Sequence, residues 1–246
     1  MFISFKDRKL NFELVPSTFR NVFDKDNINS LLVKHYSNRY LYNNLCFRLE
    51  NIVLDKNVVR LELSKTDFYS LLVTNLLYEY IDSNISTENI LKDNRFSNNL
   101  AISVLIGDIN GCVLLTKRTS IVAIGECLYT ASITGSFDYT SDLSDDLIFN
   151  LVQKEVYEEV GLIVDDSNFI VDGLFIGEAK KQPIILCRLI LDIDFLKHEF
   201  LSLDIENEIN NVLILNNTNY ENLNLSEASN FHLNYYFNRL SEKRGV

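Results

Sequence analysis

Four charged residues in one short segment have the types and spacing that metal-assisted chemistry requires. They are Lys154, Glu155, Glu158 and Glu159, in the run KEVYEEVGL. Glutamates three and four positions apart lie on one face of an α-helix, because each residue advances by roughly 100°. Grouped carboxylates bind hard divalent cations such as Mg²⁺ or Mn²⁺ and leave positions for phosphate oxygens. The segment therefore predicts a metal site suited to phosphoryl chemistry.

The direction of that face decides between a metal site and an ordinary solvated surface. Glutamate is a good helix former, and a cluster of glutamates usually faces water. Here the three glutamates project into the apolar arc of the same helix. That arc is defined by Leu147, Ile148, Leu151 and Val152. Carboxylates on a partly buried surface repel each other by about 4 kcal/mol per close pair. Proton uptake or a bound cation relieves this repulsion, and the pattern favours the cation.

The segment resembles the Nudix box, G-x5-E-x7-R-E-U-x-E-E-x-G-U, in which U is aliphatic. The matching positions are Glu155, Val156, Glu158, Glu159, Gly161 and Leu162. Lys154 stands where the family has arginine, and Asp146 where it has its first glutamate. Gly135 lies five residues further upstream than the pattern places its glycine. The loop from Ser136 to Asp142, which we call the box loop, is therefore longer than in the family pattern.

The resemblance implies metal-dependent hydrolysis of a nucleoside diphosphate linked to another group. Glu155, Glu158 and Glu159 would bind Mg²⁺ or Mn²⁺, with Glu159 as the principal ligand. Glu158, Glu159 and Lys154 would form the catalytic group, one acid activating the attacking water. Lys154 keeps the charge of the family arginine but lacks the planar fork that orients a carboxylate. Asp146 is either a shorter ligand or a plain residue at the start of a helix.

Four further residues are candidates for contact with the substrate. Gly135 is the glycine nearest to the box position. Arg118 ends a strand and could pair with phosphate oxygens, although exposed basic residues are common at strand ends. Glu206 and Glu208 lie in the region past the box from which the family draws a later acid. The alternative for both is a solvated loop acid.

A mixed series of strands and helices must position these groups. Turn residues at 107–111 join strands at 100–106 and 112–118 into a hairpin. A helix from about 145 to 160 carries the glutamates and ends at Gly161. Other strands are predicted at residues 2–5, 10–15, 47–54, 58–63, 130–134, 169–176, 184–193 and 211–215, and other helices at 27–42, 66–80 and 225–241.

These elements indicate an α/β protein with helices on both faces of a sheet. The resemblance, over roughly residues 98–241, implies a Nudix α/β/α sandwich with a mixed sheet. A polar stretch at 82–95 predicts a boundary between a smaller α+β N-terminal domain, residues 1–95, and a Nudix domain, residues 96–246.

The N-terminal half contains a second and shorter resemblance. The run TDFYSLLVTN, from Thr66 to Asn75, is similar to the TDYxxxLGTN pattern of a Nudix subgroup that hydrolyses uridine diphosphate glucose. Phe68 and Val73 replace the pattern's tyrosine and glycine. The resemblance implies a nucleotide-sugar substrate. The alternative is an amphipathic helix capped by Thr66 and Asp67.

Composition narrows the remaining classes of function. The formal net charge of -11 disfavours general nucleic-acid binding, although cations can bridge an acidic surface to a polyphosphate. We expect no signal peptide, no membrane span, buried free thiols and a cytoplasmic location. The expected partner is a small nucleotide, and a homodimer is possible. Two rivals stay open: a degenerate Nudix domain that senses a nucleotide, and an interaction scaffold.

Overall fold

The structure, a computed structural model, describes residues 1–195, 208–216 and 220–244, without the side chains of 241–244. Its strands and helices, in chain order, are β1 (Phe2–Ser4), β2 (Lys9–Leu14), α1 (Lys25–Tyr36), β3 (Leu45–Leu54), β4 (Val58–Asp67), α2 (Phe68–Thr74), α3 (Glu79–Asp82), β5 (Ala101–Asp108), β6 (Val113–Arg118), β7 (Tyr129–Ala131), β8 (Ile133–Ser136), α4 (Leu147–Val160), β9 (Phe169–Ile176), β10 (Pro183–Leu191), β11 (Ile209–Leu215) and α5 (Glu227–Arg244).

The α/β class predicted from the sequence is confirmed. One sheet has the strand order β1-β9-β10-β5-β6-β11, with β7 paired to β6 and β8 paired to β5. A second sheet has the order β2-β4-β3, and it is mixed because β2 runs parallel and β3 antiparallel to β4. No helix in the described part of the chain is long and apolar enough to cross a bilayer.

Two predicted helices end earlier than expected. The helix predicted at 66–80 stops at Thr74, and α3 forms separately. The predicted helix at 27–42 ends at Tyr36. Thr74 and Asn75 explain the first difference, because both side chains are buried and bond to Ser97 and Asn98. Tertiary hydrogen bonds thus stop a helix that its apolar pattern would continue.

The chain divides into two compact units. The first comprises residues 1–101, 136–148 and 172–185, and the second comprises 102–135, 149–171 and 186–246. The first unit takes in residues from both predicted domains, so the division after residue 95 stays a prediction. Of the four cysteines, Cys127 is exposed, against the expectation of buried thiols, and the other three are buried.

The core of the second unit lies where α5 packs on the sheet. Its fully or nearly buried residues are Leu105, Val113, Leu115, Ala131, Leu215, Tyr220, Leu233 and Tyr236. Alternate residues of a strand face the same side, so β6 contributes Val113 and Leu115 together. Strand β11 pairs with β6 in antiparallel register, with an irregularity between Ile209 and Asn211.

Ser132 is the bend at which the chain leaves β6 and joins β5. Its φ of 59° is in the left-handed region, which interrupts the extended backbone between β7 and β8. Its hydroxyl donates to the Leu114 carbonyl and accepts from the Ile106 amide at 2.8 Å. One side chain therefore ties the bend to two strands, and this sets the path of β8.

We expect Ser132→Ala to lower the free energy of unfolding by about 1–3 kcal/mol, because it leaves buried backbone groups without their partner. Serine and alanine carry the same Cβ, so the cost of the positive φ cancels between them. Urea unfolding measures the change, with the exposed Ser83→Ala as control. A loss no greater than that of Ser83→Ala would contradict this role.

Candidate active site

Helix α4 buries one of the three box glutamates, largely covers a second and leaves the third at the margin of its inward face. Glu159 is 7% exposed, and the side chain of Glu155 is 16% exposed. The Glu158 side chain is 45% exposed. Ile148, Val152 and Val156 on the same helix are buried, while Tyr157 is half exposed. The inward direction expected from helical spacing is therefore confirmed for Glu155 and Glu159.

The backbone of β8 packs directly against the carboxylate of Glu155. A Cβ built on Gly135 would lie 2.8 Å from Glu155 Cδ and 3.0 Å from its Oε1. Real Cβ atoms do not approach another atom so closely, so only glycine fits while the carboxylate keeps this position. Gly135 thus acts through close packing, although it lies upstream of the box position.

We expect Gly135→Ala to push the Glu155 carboxylate aside and to keep the fold, because the atoms that must move lie at the end of the flexible Glu155 side chain. A misplacement of about 1 Å in a catalytic group can reduce the rate about 10²-fold. Mn²⁺-induced thermal stabilisation and hydrolysis rate are the measurements. Ser136→Ala, on the opposite face of β8, is the control. Wild-type rate and metal response in Gly135→Ala would refute the packing role.

Lys154 lies between two of the glutamates but remains at the surface. Its Nζ is 3.8 Å from Glu155 Oε1 and 3.8 Å from Glu158 Oε2, and its side chain is 51% exposed. An exposed ammonium at this distance contributes little to stability. It does place positive charge beside both carboxylates, without the bidentate geometry that an arginine would supply.

Arg118 and Glu208, which were predicted separately, bind each other. Arg118 Nη2 lies 2.6 Å from Glu208 Oε2. Its Nη1 donates to Thr134 Oγ1 at 3.1 Å, and its Nε donates to the Ile124 carbonyl at 3.1 Å. Thr134 and Ile124 were not identified from the sequence. The only local signal for Thr134 was its position next to Gly135.

These contacts connect most of the candidate residues into one set. Thr134, bonded to Arg118, directly precedes Gly135, which packs on Glu155. Glu155 in turn lies beside Lys154 on α4. Following the contacts from end to end gives Glu208, Arg118, Thr134, Gly135, Glu155, Lys154 and Glu158.

Besides Glu159, which shares the inward face of α4 with Glu155, two further candidates lie outside this set. Asp146 is exposed in a turn just before α4, next to Asp145, which forms an ion pair with Lys9 at 3.0 Å. This position agrees with the reading of Asp146 as a residue at a helix start. Glu206 lies outside the described residues.

The expanded box loop pairs with strand β3. Phe47 N donates to the Phe137 carbonyl at 2.8 Å, and Phe137 N donates to Leu100 O at 2.9 Å. The Phe137 side chain is buried, with its ring centroid 5.8 Å from that of Phe47. Tyr139 packs on the same ring at 5.2 Å. The additional residues upstream of the box helix therefore form an ordered connection with its own buried anchor.

A divalent cation at this site would need oxygen ligands from the box glutamates. Among the described residues, no group of three or more His, Cys, Asp or Glu side chains is arranged to hold a metal ion. Mg²⁺ usually takes one or two protein carboxylates and completes its shell with water and substrate phosphates. Glu155 and Glu159, four residues apart on the inward face of α4, supply two such carboxylates. The residues therefore fit an ion shared with a phosphate substrate.

The polar residues of the Thr66–Asn75 segment bond within the first unit. The Asp67 carboxylate caps α2 by accepting from Ser70 N at 3.0 Å. Thr66 Oγ1 lies 2.6 Å from Ser97 Oγ, and Asn75 Nδ2 donates to the Lys181 carbonyl at 2.8 Å. Asp67 therefore caps the helix as expected, whereas Thr66 belongs to β4 and does not cap it. The nucleotide-sugar interpretation rests on the sequence pattern alone.

Comparison with known proteins gives distant likenesses in structure. No protein-family model matches the chain, and no curated protein matches its sequence. A MutT Nudix hydrolase from Burkholderia pseudomallei is 14% identical, with a TM-score of 0.41 over 55% of this chain and 95% of that one. An Ap4A hydrolase from C. elegans is also 14% identical, with a TM-score of 0.40 over 58% of this chain and 98% of that one.

A third similar structure belongs to a longer protein, of which this chain matches about half. It is a bifunctional NMN adenylyltransferase/ADP ribose pyrophosphatase from Francisella tularensis, complexed with AMP and a Mn ion. It is 15% identical, with a TM-score of 0.43 over 70% of this chain and 49% of that one. Likeness at this distance carries no activity over to this chain. Its function must follow from its own side chains.

Proposed function

We propose that this chain is a divalent-metal-dependent pyrophosphohydrolase of the Nudix type, acting on a nucleoside diphosphate linked to another group. The observation that carries the proposal is the inward face of α4, where Glu159 is buried and Glu155 is packed against Gly135. A solvated row of glutamates would need neither burial nor a strand backbone fitted to one carboxylate. A cation provides the reason for both.

The residues divide the work by position. Glu155 and Glu159 would hold Mg²⁺ or Mn²⁺, and Glu158 at the margin of the face would complete the shell or contact its water. The bound ion supplies Lewis acidity and a water of lowered pKa. Gly135 fixes the position of Glu155, and Lys154 keeps positive charge beside Glu155 and Glu158. Hydrolysis would join the water oxygen to one phosphorus and break the bond to the bridging oxygen.

A nucleotide sugar such as uridine diphosphate glucose is the leading substrate. The support is the similarity of the Thr66–Asn75 segment to the subgroup pattern. The products would be a nucleoside monophosphate and a sugar 1-phosphate. The net charge of -11 favours a cation between protein and diphosphate.

Incubation with Mg²⁺ or Mn²⁺ and a panel of nucleoside diphosphate sugars and nucleoside triphosphates tests this function. We expect monophosphate from at least one diphosphate derivative and none when the metal is chelated. Thermal stabilisation by a nucleotide without turnover would instead support the sensor, because a ligand stabilises the state that binds it. No turnover and no stabilisation by any compound would favour the scaffold.

A further inference from the structure

Arg118 is held in place by all three nitrogens of its guanidinium group. Nε donates to the Ile124 carbonyl and Nη1 to Thr134 Oγ1, each at 3.1 Å. Nη2 reaches Glu208 Oε2 at 2.6 Å. The side chain is 11% exposed. A planar group bound on three sides is fixed in orientation and offers little surface to a further ligand.

Glu208 is held twice, once by its backbone and once by its side chain. Its carbonyl accepts from Thr119 N at 2.7 Å, just before β11 begins. Its Oε2 is bonded to Arg118, while Oε1 has no hydrogen bond to any residue in the described ranges. The side chain is 35% exposed. Arg118 therefore fixes one oxygen of this carboxylate in place.

We propose that Arg118 is a positioning residue, which holds the Glu208 carboxylate for the reaction and does not itself bind substrate phosphate. This inference rests on the proposed function and replaces the role in phosphate binding that the sequence suggested for Arg118. Thr134 belongs to the same group of contacts, because its hydroxyl binds the guanidinium group and it directly precedes Gly135. A hydrogen bond of 2.6 Å between a guanidinium and a carboxylate is strong enough to select one carboxylate orientation.

The kinetic constants of variants distinguish positioning from phosphate binding. We expect Arg118→Gln to lower kcat about 10–10²-fold with KM changed less than about 3-fold, because the substrate loses no direct contact. Thr134→Val, which removes one anchor, should lower kcat by a smaller factor in the same direction. Arg118→Lys should recover part of the loss. A KM that rises at least about 10-fold with kcat kept would overturn the proposal.

Two further measurements keep this inference separate from the proposed function. Arg60→Gln removes an exposed arginine from β4 and should leave both constants unchanged. A double-mutant cycle of Arg118→Gln and Glu208→Gln, followed by urea unfolding, needs no substrate. We expect the double variant to lose less than the sum of the single losses. Additive losses would overturn the inference even in an active enzyme, whereas coupling without turnover on any substrate would overturn the proposed function.

Discussion

Glu159→Gln is expected to reduce metal-dependent hydrolysis by at least about 10³-fold. A metal ion contributes several kcal/mol to the stabilisation of the transition state, and each 1.36 kcal/mol is tenfold in rate. Glutamine has almost the same shape as glutamate but no negative charge, so it fits the buried position and loses the ion. Glu159 is the most deeply buried carboxylate of the box helix, so water cannot readily replace it as a ligand.

Stabilisation of the protein by Mn²⁺ is a second measurement, and it needs no substrate turnover. Mn²⁺ at about 100 times its Kd should stabilise the wild type by about 2.7 kcal/mol and the variant by far less. Glu88→Gln, at an exposed position outside the site, is the matched control and should keep both rate and metal response. Glu158→Gln should lie between the two, because Glu158 is half exposed. An active Glu159→Gln variant with a normal response to Mn²⁺ would remove the basis of the proposed function.

The largest expected change in stability concerns a buried ion pair in the first unit. Arg48 and Glu50 form a direct ion pair with side chains 1% and 6% exposed. Thr18 donates to Glu50 through its amide at 3.1 Å and its hydroxyl at 2.6 Å, and Ser64 donates to it as well. Arg48 also donates to the Phe96 carbonyl. The pair is therefore satisfied on both sides.

Arg48→Met is expected to lower the free energy of unfolding by about 3–5 kcal/mol at pH 7, because it leaves a buried carboxylate without its cation. Urea unfolding is the measurement. The double variant Arg48→Met with Glu50→Gln should recover most of the loss, since glutamine still accepts from Thr18 and carries no charge. Arg60→Met, at an exposed pair, should cost less than about 1 kcal/mol.

The pH dependence of this pair has a definite sign. Burial alone would raise the pKa of Glu50, but hydrogen bonds from Ser64 and Thr18 and the charge of Arg48 bring it below its ordinary value. The wild type therefore gains stability above the unfolded pKa of about 4.3 and loses it as pH falls through the lower folded pKa. Without the charge of Arg48, less opposes the effect of burial, and the pKa of Glu50 rises. The difference between wild type and Arg48→Met should then shrink on acidification, and a constant difference from pH 7 to about 4 would contradict this account.

Much of the local structure was predictable because it follows from short-range periodicity. Helical spacing predicts Glu155, Glu158 and Glu159 on the apolar side of α4. In the structure Glu159 is buried there and Glu155 is largely covered, whereas Glu158 is half exposed. Turn residues fixed the hairpin of β5 and β6, and alternating apolar runs gave most other strands. Each of these inferences needs only residues within two or three turns or one hairpin.

The sequence by itself thus determined a helix that directs carboxylates inward, and it predicts the chemistry of a divalent cation and a phosphate at that face. Only the tertiary structure decided what surrounds them. Glu208 lies 90 residues beyond Arg118, and the box loop bonds to a strand some 90 residues earlier. Chain periodicity does not encode partners at such separations, since they depend on strand order, register and bends such as that at Ser132. For the same reason Arg118, exposed and free to bind phosphate by its sequence position, lies bonded on three sides in the folded chain.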